Sequence, residues 1–183
     1  VGTKKRKKQS KAEINIDNIL LKKRTIFLYD DIDEKSAKKV AKQLIVLDTQ
    51  KKADITLYVN SCGGYCTDGL AIIDTIQGIK SKVTTIITGF AASMGAMISI
   101  SGDKRYITKH GIWMQHPMAG GTYDYYQFVK DRVKFMEMLE GKMTILLKER
   151  TNLNPPDYKK IANGELWLDA EEALAKGVVD KII

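Results

Sequence analysis

A chain of 183 residues, 44% apolar and 28% charged, is long enough for one compact domain with a real core and has little left over for a second. It contains no run of 18 apolar residues, so no membrane-spanning helix is expected, and its two cysteines are too few for a disulfide scaffold. The formal charge of +8 is concentrated in residues 4–11, KKRKKQSK, which hold six Lys or Arg and no acid.

That basic run defines an N-terminal tail over residues 1–12, with a single folded domain expected over 13–183. The run reads either as a solvated tail or as a nucleic-acid patch or leader. No aromatic residue interleaves it and no nucleic-acid fold signature accompanies it, so no nucleic-acid partner is expected. The first residue is Val, which suggests a processed or excised chain. Residues 25–29, TIFLY, predict a strand ending at Asp30 and Asp31. A helix follows from Asp33, with Val40, Leu44 and Leu47 at helical spacing and Ala37 and Ala41 on or near that face. Residues 54–59, DITLYV, predict a second strand, which runs into Asn60-Ser61-Cys62-Gly63-Gly64. The pattern repeats as a helix around 67–79, a strand at 83–87 and then Gly89. Strands alternating with helices argue for an α/β fold with parallel pairing.

The small apolar segment from Ser93 to Ser101 predicts a buried helix, and Tyr106-Ile107 and 111–115 predict strands. Residues 124–150 carry a long helical pattern through Phe128, Val133, Met136, Leu139, Met143 and Leu146. A helix of that length either crosses the domain or reaches a partner. Pro155-Pro156 opens another helix, and Asp169-Ala-Glu-Glu172 predicts a capping box.

Three short segments carry candidate chemistry. In Gly89-Phe90-Ala91-Ala92-Ser93-Met94-Gly95 a serine stands between a strand and a helix, where a sharp turn projects its hydroxyl and the next N–H, that of Met94, can meet an oxyanion. A helix-capping serine explains the same string. The glycines after Ser61 allow close backbone approach and a second N–H, from Gly64; an ordinary glycine turn accounts for them equally. His116 follows a predicted strand, where an imidazole could remove the serine proton. Cys62 and Cys66 are far in sequence from His110 and His116, so no metal site is expected and both read as reduced thiols.

Taken together, Gly-x-Ala-Ala-Ser-Met-Gly, the upstream Asn-Ser-x-Gly-Gly and the downstream Met-x-His resemble the proteolytic subunits of Clp proteases over about 160 residues, from Arg24 to the C-terminus. The resemblance implies a crotonase-like spiral of repeated β-β-α units with a protruding handle helix at 124–150. It also implies a serine endopeptidase that degrades unfolded proteins inside stacked seven-membered rings fed by an AAA+ Clp ATPase. Carried over by position, Ser93 is the nucleophile, His116 the base, and Gly64 and Met94 the oxyanion donors. The triad acid falls on Glu165, where the family has aspartate, and Cys62 stands where it has proline; Asn163 and Gly164 replace a charged pair. These departures motivate an alternative, a weakly active or inactive structural subunit of a mixed ring. A third reading, an acyl-CoA enzyme of crotonase type, fits the retained serine and histidine poorly. No metal or organic cofactor is expected, and the chain has no phosphate-binding Gly-x-x-x-x-Gly-Lys loop of its own. A bacterial cytoplasm, or an organelle of bacterial descent, is the expected setting.

Overall fold

The structure, a computed structural model, describes residues 15–183; the basic run and the whole of the expected tail lie outside the described residues. Its first element is a short helix, α1 (Ile16–Lys22), capped by the Asn15 side chain accepting the Asn18 N–H at 2.9 Å. No element is expected here from the sequence, although Ile16, Ile19 and Leu20 stand at helical spacing; none of its residues is fully buried, and Leu21 packs half-buried against the core. Arg24 then turns the chain with φ 58° and donates to the carbonyls of Leu47, Ala53 and Asp54, which ties the turn to the next layer.

Strand β1 (Thr25–Leu28) places Ile26 and Leu28 in the core. Helix α2 (Glu34–Gln50) starts where Asp33 and Ser36 satisfy each other's backbone N–H groups, and it buries Ala37, Val40, Leu44 and Leu47 as the spacing predicts. Strand β2 (Ile55–Ser61) alternates buried and half-buried residues along its length. Helix α3 (Cys66–Gly78) follows, then β3 (Val83–Ala92), α4 (Met94–Ser99), β4 (Lys104–Ile107) and β5 (Ile112–Gln115). The C-terminal part comprises α5 (Tyr126–Arg150), α6 (Pro155–Asn163), β6 (Leu166–Leu168), α7 (Ala170–Ala175) and β7 (Lys181–Ile182).

The sheet runs β1-β2-β3-β4-β7 with every pair parallel, while β5 pairs parallel with the far end of β3 and antiparallel with β6. This is the parallel α/β architecture expected from the sequence. One difference concerns β3, which does not stop before Gly89. It continues to Ala92 and changes partner on the way, pairing Thr84–Ile87 with β4 and Phe90–Ala92 with β5. Gly89, at φ 76°, supplies the bend, and Asn60 Oδ1 accepts the Phe90 N–H at 3.1 Å beside it. The bend therefore splits one strand between two sets of neighbours.

The core lies between the sheet and helices α2, α3 and α4, around fully buried Leu44, Ile55, Leu57, Ile72, Met97 and Trp113. Each such side chain contributes about 1.5–3 kcal/mol of burial. Helix α5 is used unevenly. Its buried residues, Leu139, Met143, Leu146 and Leu147, all fall in the second half, whereas Phe128, Val133, Phe135 and Met138 of the first half are exposed. The 25-residue helix is thus a handle anchored at one end. No helix among the described residues is long and apolar enough to cross a membrane.

Candidate active site

The C-terminal ends of three parallel strands meet at one edge of the sheet, which is where α/β folds expose chain turns rather than paired backbone. β2 ends in Cys62-Gly63-Gly64, β3 delivers Ser93, and β5 delivers His116. Ser93 has φ 53° and ψ −122°, a conformation that non-glycine residues rarely adopt, and its N–H donates to Met114 O at 3.0 Å. Its side chain does not cap α4. The capping explanation of this serine therefore fails, and the hydroxyl on this strained turn has no hydrogen-bond partner among the described residues.

The glycine pair does more than turn. A Cβ on Gly63 would sit 2.6 Å from Ser93 Cβ, and one on Gly64 would sit 2.1 Å from Ile32 O. Ile32 straps this loop from both sides: its N–H donates to Gly63 O and its carbonyl accepts the Tyr65 N–H, each at 2.8 Å. Neither the Gly64 N–H nor the Met94 N–H has a hydrogen-bond acceptor among the described residues. Two unpaired donors thus flank a free hydroxyl. The Ser61 hydroxyl braces the loop from below, donating to Asp30 O at 2.7 Å and accepting the Gly63 N–H at 3.2 Å.

Ser93, Met94, Gly64 and His116 all line one cavity of about 490 Å³, with Cys62 and Cys66 on its wall. Both cysteines are free thiols, and burial pushes the Cys66 thiol above its ordinary pKa. The His116 Nδ1 lies 2.6 Å from Pro117 O. A carbonyl only accepts, so Nδ1 donates to it, and the neutral ring then keeps its lone pair on Nε2, the tautomer a general base requires. No hydrogen bond joins Ser93 to His116 here; in free enzymes such contacts often tighten only when substrate arrives.

Glu165 is not brought to this cavity. It is solvent-exposed, and its Oε2 accepts the Trp167 indole N–H at 2.9 Å, while the Trp167 ring stacks on Phe90 with centroids 5.6 Å apart. Asp169 serves the helix, accepting the Glu172 N–H at 2.8 Å in the expected capping box. The close approach expected of the glycine pair is made by Gly63, which packs on the serine. Two contributors went unnoticed in the sequence: the Pro117 carbonyl holds the imidazole, and the buried Gln115 side chain lines the cavity. Neither carries a signal in the sequence pattern.

A hydroxyl on a strained turn, an imidazole with a free Nε2 and two unpaired N–H donors are the parts needed for nucleophilic acyl transfer. Comparison with known proteins points the same way. The family model described as Clp protease matches residues 7–183. The chain is 37% identical over 169 residues to the ATP-dependent Clp protease proteolytic subunit of Streptococcus gordonii, covering 90% of this chain and 86% of that one. It is 36% identical over 169 residues to the proteins of the same name from Lactococcus lactis and Streptococcus mutans, covering 90% of this chain and 85% and 86% of theirs. By this match over nearly its whole length, the chain belongs to the Clp protease family.

Proposed function

We propose that the chain is a Clp-type serine endopeptidase subunit, with Ser93 as nucleophile and His116 as general base. His116 Nε2 takes the Ser93 proton as Oγ attacks the peptide carbonyl, then returns it to the leaving amine. The Gly64 and Met94 N–H groups receive the oxyanion of the tetrahedral intermediate. Water then enters and the same base releases the acyl group. The observation that carries this reading is the strained Ser93 turn, with a hydroxyl that caps nothing, on the same cavity wall as an imidazole whose Nδ1 is tied to a carbonyl.

Glu165 is the third member by position in the family pattern. To act as such it leaves Trp167 and takes over the His116 Nδ1–H; in the present conformation the Pro117 carbonyl does the orienting. The relatives' name includes dependence on ATP, and we extend this to a partner Clp ATPase that unfolds substrates and threads them in. Assembly into seven-membered rings, paired through the exposed half of α5, fits the apolar side chains that half leaves in solvent. The test is hydrolysis of an unfolded protein and of short fluorogenic peptides, with the oligomeric state measured by light scattering. Turnover by an assembled ring, abolished in Ser93→Ala and in His116→Ala, is the expected result. Turnover that survives Ser93→Ala would overturn the assignment.

A further inference from the structure

Strands β5 and β6 pair antiparallel, with Met114 opposite Trp167 and Gln115 opposite Leu166. One further step of the same register sets His116 opposite Glu165. Side chains directly opposite in such a pair leave the same face of the sheet, with Cβ atoms about 4.5–5.5 Å apart. Strand pairing therefore sets the carboxylate opposite the imidazole, yet the two do not bond. Each is held by a near neighbour in the chain instead: Glu165 Oε2 accepts the Trp167 indole N–H at 2.9 Å, and His116 Nδ1 donates to Pro117 O at 2.6 Å. Alternate residues of a strand share a face, which lets the indole of residue 167 reach the carboxylate of residue 165. The Trp167 ring is itself held, stacked on Phe90 across β5 with centroids 5.6 Å apart and planes 20° from parallel.

Resting on the peptidase reading above, we propose that Trp167 is a positioning residue that latches Glu165 away from His116, so that the carboxylate engages the imidazole only as that ring takes the Ser93 proton. In the form that acts as base the ring is neutral, and uniting the pair would give up two hydrogen bonds for one. Once Nε2 has accepted the serine proton, the ring is an imidazolium. Its bond to the carboxylate is then charged on both sides, whereas the indole bond is charged on one, and ionised partners make the stronger hydrogen bond. The Nδ1 proton stays on its nitrogen and changes only its acceptor, from Pro117 O to Glu165. Trp167 is 46% exposed and Glu165 is exposed, so the latch opens without stranding a buried polar group. Opening it still costs the reaction one hydrogen bond, and a ring that stacks as Trp167 does but lacks the N–H removes that cost.

The experiment compares wild type, Trp167→Phe, Glu165→Ala and the double variant as assembled protein, by turnover of a quenched peptide and by fluorophosphonate labelling of Ser93. Trp167→Phe is expected to raise kcat about three- to tenfold, the net worth of one hydrogen bond. KM should stay within about twofold, since neither Trp167 nor Glu165 lines the cavity. In the Glu165→Ala background the same substitution is expected to change kcat by less than about twofold, because the latched group is gone. A merely structural role for Trp167 would move both backgrounds alike. A Trp167→Phe kcat at or below wild type, or a rise that persists without Glu165, overturns the proposal. If the variant fails to fold, the Trp167 indole N–H resonance of the wild type decides. A peptide boronic acid takes up Ser93 Oγ as a tetrahedral boronate anion and leaves the serine proton on His116. The resonance is expected to move on that addition to its position in Glu165→Ala; a resonance that stays in place overturns the latch. Labelling of Ser93 without the coupling refutes this inference alone, whereas a Ser93 inert to both reagents refutes the peptidase reading and the inference together.

Discussion

Gly63→Ala is a sharp probe of the site because it touches no reacting atom. The added Cβ would lie 2.6 Å from Ser93 Cβ, 2.9 Å from Ala92 O and 3.0 Å from Met94 N. Non-bonded carbons settle at about 3.5–4.0 Å, so Ser93 must recede by roughly 1 Å. Displacements of about 1 Å at a reacting centre cost on the order of 10²-fold in rate. The alanine must also adopt the φ of +101° that Gly63 holds, which adds about 1–3 kcal/mol of backbone strain. Gly63→Ala is therefore expected to lower the second-order rate of fluorophosphonate labelling about 100-fold. Its unfolding free energy should drop by a smaller proportion, leaving a folded protein. Gly78→Ala is the control, since a Cβ there meets nothing within 4 Å. Labelling of Gly63→Ala within about threefold of wild type would refute the proposed contact between this glycine and the nucleophile.

Other consequences follow from the same geometry. Glu165→Ala should lower peptide turnover at least about tenfold if this carboxylate takes over the imidazole during the reaction, and unchanged kcat would leave that task to the Pro117 carbonyl. The Asp48 carboxylate accepts from Lys52, chiefly, and from the Ser81 N–H and hydroxyl, which together hold its pKa down to about 2 from 3.8. Because the folded value is the lower one, this contribution to stability is complete above pH 3.8 and is lost as pH falls through about 2. Denaturant titrations should therefore show the gap between wild type and Asp48→Asn closing over that window and constant from pH 5 to 7; a gap that widens on acidification would contradict the sign. Asp157, buried against the Lys176 ammonium at 2.8 Å and closing the α6 cap with Asn154, should cost about 2–4 kcal/mol when replaced by Ala, measured by urea denaturation.

What the sequence announces and what it hides divide along physical lines. The α2 stripe of Val40, Leu44 and Leu47, and the caps at Asp33 and Asp169, are local and periodic, so they are legible residue by residue. The serine turn is legible because only small residues fit beside it. α1 is not, since Ile16, Ile19 and Leu20 keep helical spacing over only seven residues, too short a run to separate a helix from a loop. The second half of β3 hides behind Gly89, a residue that ordinarily ends strands and here bends one. Phe128 and Val133 follow a helical period yet stay in solvent, because periodicity reports that a face is apolar and not what covers it. The partners of Glu165 and His116, the Trp167 indole and the Pro117 carbonyl, are near in sequence but depend on side-chain direction. Spacing alone specifies neither of them.

The most direct test of the account is to treat the assembled protein with a fluorophosphonate and locate the adduct by peptide mass spectrometry. The account predicts a single adduct on Ser93, absent in Ser93→Ala and at least about 100-fold slower in His116→Ala. An adduct on a different residue, or a Ser93 rate unaffected by loss of the imidazole, would contradict it.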